Sequence, residues 1–175
     1  MDLNALFLRL KNGEKRVLEE IYSATKRAVF SVAYAVLKDS SLCEDVMQDT
    51  YCRLCDNIQN YSGGNPLTWL CHIAKNIAID YYRKQKNYVS FDDSLVKSGQ
   101  TENGISDLKH ETLDILKIAA RCLNGTEYTV LFLHTIGDLG HKEIAEILHK
   151  PYATVRWNYS QAIKKMQIAT RDYGV

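Results

Sequence analysis

Apolar residues recur along almost the whole of this chain at helical spacing, and no stretch alternates apolar with polar for long enough to make a strand. Leu3, Leu6, Phe7 and Leu10 share one side of a short helix that Asn12-Gly13 punctuates. Val17, Leu18, Ile21, Tyr22, Val29, Phe30, Val32, Ala33, Val36 and Leu37 carry the pattern on to Lys38-Asp39-Ser40. Ser41 with Glu44 reads as a capping box for the next helix, which places Met47, Tyr51, Leu54, Cys55 and Ile58 on one face. Tyr61-Ser62-Gly63-Gly64-Asn65 is a loop, and Pro66 opens a helix to about Gln85, because the first turn has no use for the N–H that proline lacks. The expected fold class is all-α.

The character of the chain changes at Asn87. Residues 91–112 set Lys97 and Lys109 against Asp92, Asp93, Glu102, Asp107 and Glu111, with Ser94, Ser98, Gly99, Gly104 and Ser106 between them. Such a composition suits a tether better than a packed element. Helical spacing resumes with Leu113, Leu116, Ala120 and Leu123. A short helix follows that Thr126 can cap, carrying Val130, Leu131 and Leu133. The expected organisation is two small helical domains, residues 1–88 and 111–175, joined by an acidic linker over 89–110. With 22 basic and 21 acidic residues, the chain cannot present a basic coat over its whole surface, though a local basic patch remains open. The beginning, MDLNALFLRLKNGEKR, lacks the basic, apolar and small-residue order of a signal peptide. No apolar run approaches the roughly 18 residues that a membrane span needs, so a cytoplasmic protein without membrane insertion is expected. The five cysteines are then expected to remain thiols.

Residues 141–166, HKEIAEILHKPYATVRWNYSQAIKKM, form a short amphipathic helix, a break at His149-Lys150, and a longer helix from about Pro151. Ala145 is small where the two would cross, which is the helix-turn-helix arrangement, here over about 141–162. In that motif the start of the second helix enters the major groove, and this start offers Lys150, Tyr152, Thr154, Arg156 and Trp157. Six basic groups against three acidic ones in 141–175 give the sign that phosphate contact requires. A helical hairpin inside an ordinary bundle is the alternative that these residues alone leave open.

The stretch CEDVMQDTYCRLCDNIQNYSGGNPLTWLCHIAKNIAIDYYRKQK resembles the second conserved region of bacterial RNA polymerase sigma factors of the extracytoplasmic-function group. Glu44, Asp45, Gln48, Trp69, Leu70, Ile73, Ala74, Asn76, Asp80, Tyr81 and Arg83 carry that resemblance. EIAEIL, the break, Thr154-Val155 and Ala162 resemble the same group's fourth region, in the right order. The resemblance implies a sigma region 2-like and a region 4-like domain. It implies RNA polymerase core as partner, through the largest-subunit clamp and the flap of the second subunit. Promoter DNA, both duplex and melted non-template strand, is implied too, with an anti-sigma factor as a further candidate partner.

On this reading Asp45, Gln48, Asp49 and Cys52 form a polar stripe at i, i+3, i+4 and i+7 that docks on the polymerase clamp. Spacing alone reads the same stripe as a solvated helix face. Tyr61, Ser62, Asn65, Lys75, Asn76, Arg83 and Lys84 are the candidates for the melted minus-ten strand, since single-stranded DNA is held by basic groups interleaved with aromatics. Lys150, Tyr152, Thr154, Arg156, Trp157 and Gln161 are the candidates for the minus-thirty-five duplex. The chain departs from the family at Asp49, where glutamate is usual, at Asn158 and Gln161, where arginines are typical, and at Tyr128, where an arginine is common. Those departures bear on the promoter sequence recognised, not on the class.

Cys52-x-x-Cys55 with Cys71-His72 raises a zinc or redox alternative. The second ligand pair of a structural site is missing, however, and the first pair lies within a helix, so bystander thiols are expected and no metal or cofactor. No phosphate loop, triad or paired-acid constellation points to an enzyme. The functional rival is a helix-turn-helix regulator acting on duplex DNA without joining polymerase. A helical adaptor that needs neither basic surface is the third class.

Overall fold

The computed structural model describes residues 2–89 and 118–172, with side chains at 2–85 and 118–171. Helices joined by short turns and loops make up the described residues, without strands, and form two compact units, one within residues 2–89 and one within 118–172. The acidic tether, Leu113, Leu116 and the side chain of Lys86 lie outside the described residues.

In the first unit, α1 (Leu3–Lys11) starts on Asp2, whose carboxylate accepts from the Asn4 N–H at 3.0 Å. The helix ends in a turn through Gly13, whose φ of +94° is costly for any residue with a Cβ. A 3₁₀ turn, Lys15–Val17, leads into α2 (Leu18–Leu37). The chain then reverses through Lys38, which adopts the left-handed conformation at φ 55°. Next comes α3 (Ser40–Asn57), and after a second 3₁₀ turn, Ile58–Asn60, and the loop, α4 (Pro66–Val89). The helices α2, α3 and α4 pack against one another, and α1 lies on α2, α4 and the second 3₁₀ turn. Ile21, Val29, Leu54, Leu70 and Ile77 fill the centre. Burying each such side chain contributes roughly 1.5–3 kcal/mol, so α4 owes its length to its core face.

Two local expectations are corrected here. The cap of α3 is Asp39, which accepts from the Leu42 N–H at 3.1 Å, and not a Ser41/Glu44 box. The extended backbone at Asp39 starts the helix at Ser40, so Ser41 is already inside it. The buried face of α3 is Cys43, Val46, Thr50, Tyr51 and Leu54, continued by Ile58; Met47 is only half-buried and Cys55 is exposed. Thr50 can sit at 0% exposure because its hydroxyl donates to the Val46 carbonyl at 2.6 Å. A threonine satisfied within its own helix packs as an apolar residue would.

In the second unit, residues 118–122 form a helical turn, followed by α5 (Gly125–Thr135), α6 (His141–Leu148) and α7 (Tyr152–Asp172). Asn124, not Thr126, caps α5. Its side chain accepts from the Thr126 and Glu127 N–H groups, and Glu127 accepts in return from the Asn124 N–H at 3.0 Å. Glu127 is buried at 2% exposure, and both its carboxylate oxygens also lie 2.8 Å from the Lys165 ammonium of α7. Lys165 and the Asn124 N–H hold that carboxyl below the usual carboxylate range, against the cost of its burial. Ala119 rather than Ala120 enters the core, beside Leu131, Ala162 and Met166. The break between α6 and α7 is a Schellman turn. The Lys150 N–H donates to the Ala145 carbonyl and the His149 N–H to that of Glu146, with His149 left-handed at φ 51°. The short helix, tight turn and long helix of a helix-turn-helix are therefore present.

Phe7 joins α1 to the rest of the first unit. Its ring is wholly buried, edge-on to Tyr61 at 5.3 Å and to Trp69 at 6.1 Å. Phe7→Ala is expected to destabilise the first unit by about 3–5 kcal/mol, read as a lower urea midpoint at unchanged slope.

Candidate nucleic-acid and partner interfaces

The α3 stripe lies where its spacing predicts. Asp45, Gln48 and Cys52 are exposed along one side of the helix, away from the Val46/Thr50/Leu54 face. Asp49 is half-buried instead of exposed, because it faces α4, where the Tyr81 hydroxyl donates to its Oδ2 at 3.0 Å. Cys55 shares the exposed side with Cys52, while Cys43 and Cys71 are buried. Burial pushes the Cys43 thiol up to about 12. Among the described residues no three metal-ligating side chains converge.

The expected single-strand surface is assembled in part. Asn76, Arg83 and Lys84 are exposed on α4, and Lys75 is half-buried, with its ammonium pKa pulled down by burial. The Lys84 ammonium lies 5.9 Å from the centre of the Tyr81 ring. Ser62 and Asn65 are exposed in the loop ahead of α4. Asn65 also caps α4, its Oδ1 accepting from the Leu67 and Thr68 N–H groups at 2.9 and 3.2 Å.

Tyr61 does not belong to that surface. It is 3% exposed, with its ring edge-on to Trp69 at 5.4 Å as well as to Phe7. Its hydroxyl lies within hydrogen-bond reach of the Gly64 carbonyl and Asn4 Oδ1, and its carbonyl accepts from the Lys11 ammonium at 2.7 Å. A ring this enclosed cannot stack on a base. The exposed aromatic beside Arg83 is Tyr82, at 43% exposure. Sequence reading missed it, although an aromatic next to basic residues late in an amphipathic helix was a usable signal.

In the second unit, Lys150, Tyr152, Arg156 and Trp157 are exposed at the turn and the start of α7, and Thr154 and Gln161 are half-buried. The Arg156 guanidinium lies 5.9 Å over the Tyr152 ring, one helical turn away. Trp157 points outward at 60% exposure. Asn158 is buried, and its amide donates to the Thr154 carbonyl at 2.8 Å. Of the two positions where arginines are typical, this one faces the helix itself and not the groove-reading side.

His134 of α5, His141 of α6 and Tyr159 of α7 meet with each pair of ring centres 4.7 Å apart. His134 Nδ1 is 2.8 Å from the Leu139 carbonyl, whereas His141 Nε2 is buried with no hydrogen-bond partner among the described residues. Burial, with His134 and Arg156 nearby, holds His141 below its ordinary value of 6.5.

Two family profiles match the chain: Sigma-70 region 2 over residues 21–88 and Sigma-70 region 4 over residues 119–166. The chain belongs to the sigma-70 family, in its extracytoplasmic-function group. This sigma factor is 29% identical over 134 residues to the ECF RNA polymerase sigma factor SigM of Bacillus subtilis (strain 168), covering 75% of this chain and 82% of the relative. It is 26% identical over 178 aligned positions to SigW of the same organism, covering 94% of each. Among solved structures it shares the fold of CnrH, solved in complex with the cytosolic domain of CnrY, at a TM-score of 0.65 and 17% identity over 98% of this chain and 99% of the other. The sigma factor RpoE, solved with the anti-sigma factor NepR from Bartonella quintana, gives 0.64 and 19%, over 87% and 96%. The region 2 match disfavours a regulator that only binds duplex DNA. The family binds RNA polymerase core and promoter DNA in transcription initiation, and sigma factors as a class are not enzymes. Among the described residues no helix of the sigma factor is long and apolar enough to cross a membrane.

Acid should weaken the second unit. The unfolded chain takes up a proton at His141 before the folded one does, so the contribution of this group is full above about pH 6.5 and falls as the pH drops below it. Thermal melts between pH 7.5 and 5.5 are expected to show that loss, with a shallower dependence in His141→Phe, which keeps the ring and removes the titration.

Proposed function

We propose that residues 1–88 of this sigma factor hold polymerase core and the melted minus-ten strand, that 89–110 act as the linker, and that 111–175 bind the minus-thirty-five duplex. The observation that carries the reading is the outward placement of two unlike surfaces on adjacent helices. Asp45, Gln48 and Cys52 line α3, with the half-buried Asp49 at the edge toward α4, and Asn76, Arg83 and Lys84 line α4. An acidic stripe complements a basic clamp surface and steers the encounter, while basic groups track a phosphate backbone. Ser62, Asn65 and Lys75 border the strand, and Tyr82 takes the stacking role that the buried Tyr61 cannot.

In the second unit, Lys150 and Arg156 meet phosphates or base edges, and Tyr152, Thr154, Trp157 and Gln161 border them, with the polymerase flap as second partner. The protein has no catalysis of its own on this reading and works in the bacterial cytoplasm. An anti-sigma protein is a further partner, a reading supported by the complexes in which CnrH and RpoE were solved.

Run-off transcription with core enzyme tests the whole assignment: a promoter-dependent product is expected, and none from any candidate promoter refutes it. Asp45→Lys sets like charges together and is expected to cost on the order of several kcal/mol of core affinity without unfolding the chain, because the side chain is exposed. Arg156→Ala is expected to cost about 1–3 kcal/mol and relax preference at one base pair if the arginine reads a base edge. A uniform loss with a shallower salt dependence identifies a phosphate contact instead.

A further inference from the structure

Tyr81 stands between the two candidate surfaces of the first unit, hydrogen-bonded to a charged residue of one and with a charged residue of the other near its ring. Its hydroxyl donates to Asp49 Oδ2 on α3 at 3.0 Å. Its ring lies 5.9 Å from the Lys84 ammonium one turn further along α4. An ionised carboxylate has about four acceptor sites, so a single hydroxyl fixes the carboxylate's rotation and leaves the second oxygen to a docking cation. Rotamer freedom surrendered before association need not be surrendered during it. The ring contact acts likewise on Lys84, restraining a flexible stem that otherwise samples many conformations.

We propose that Tyr81 is a positioning residue for both partners: its hydroxyl aims Asp49 at the polymerase, and its ring aims Lys84 at the single strand. This rests on the reading of α3 as the core-docking helix. It adds that the two surfaces share one side chain whose two ends are chemically separable. Tyr81 is half-buried at the α3–α4 contact, so its backbone position is set by packing that a phenylalanine preserves.

The test separates hydroxyl from ring. Tyr81→Phe, Tyr81→Leu, Asp49→Asn and the Tyr81→Phe/Asp49→Asn pair are compared for affinity to core polymerase. Each saturated holoenzyme is then titrated with a single-stranded minus-ten oligonucleotide. Tyr81→Phe is expected to melt like the parent and to weaken core binding by about three- to tenfold, the scale of one net hydrogen bond. In the Asp49→Asn background it should cost nothing further. Oligonucleotide affinity should fall in Tyr81→Leu and not in Tyr81→Phe. Losses in the pair that multiply, or a Tyr81→Phe protein indistinguishable from parent while Asp49→Asn is weakened, would overturn the positioning role and leave the docking helix intact. Asp49→Asn binding core like the parent overturns the docking role of that aspartate, and the proposal with it. Equal oligonucleotide affinity in Tyr81→Leu and Tyr81→Phe removes the Lys84 half.

Discussion

A helix in a small domain has one apolar stripe, and everything else in the first unit follows from how α4 uses its own. Cys71, Ala74, Ile77 and Ala78 are buried on it, packed with α2 and α3, and this holds 24 residues of α4 in one continuous helix. Because that side is committed, Asn76, Arg83 and Lys84 are carried on the other at a fixed rise and rotation. The outer side therefore has no stability of its own to supply. Its geometry is inherited from packing, which is why polar and basic residues can occupy it without weakening the fold.

The second unit solves the same problem with a charge. Glu127 caps α5 through the Asn124 backbone and reaches α7 through Lys165, so one buried carboxylate sets both where α5 begins and which part of α7 lies over it. Removing Lys165 strands the Glu127 charge at 2% exposure, a larger penalty than the pair's own net contribution, whereas Lys165 is part-exposed and would turn to water if Glu127 were lost. The start of α7, with Tyr152, Arg156 and Trp157, lies on the helix so anchored, some turns before Lys165.

Helix positions and the helix-turn-helix were legible in the sequence because each rests on spacing within a few residues. What was not legible depends on partners far away in the chain. Tyr61 sits among loop residues and reads as exposed, yet Phe7 arrives from α1 to enclose it. Asp49 reads as part of a solvent stripe, yet Tyr81 meets it from α4. The caps were misread for a local reason. Asp39 and Asn124 each lie ahead of the residue chosen, and start position is the least determined feature of a periodic pattern. Cys55 was assigned to the apolar face because a thiol counts as apolar, whereas Thr50, satisfied by its own helix, holds a buried place on it.

The turn between α6 and α7 is held by main-chain donors and acceptors, from Lys150 to Ala145 and from His149 to Glu146. Those bonds are indifferent to which side chains Lys150 and Tyr152 carry. The support of α7 and the side chains its start presents are thus separate properties of the same few residues. Substitutions at the exposed positions 150, 152, 156 and 157 change the surface that α7 presents while the turn beneath them keeps its shape.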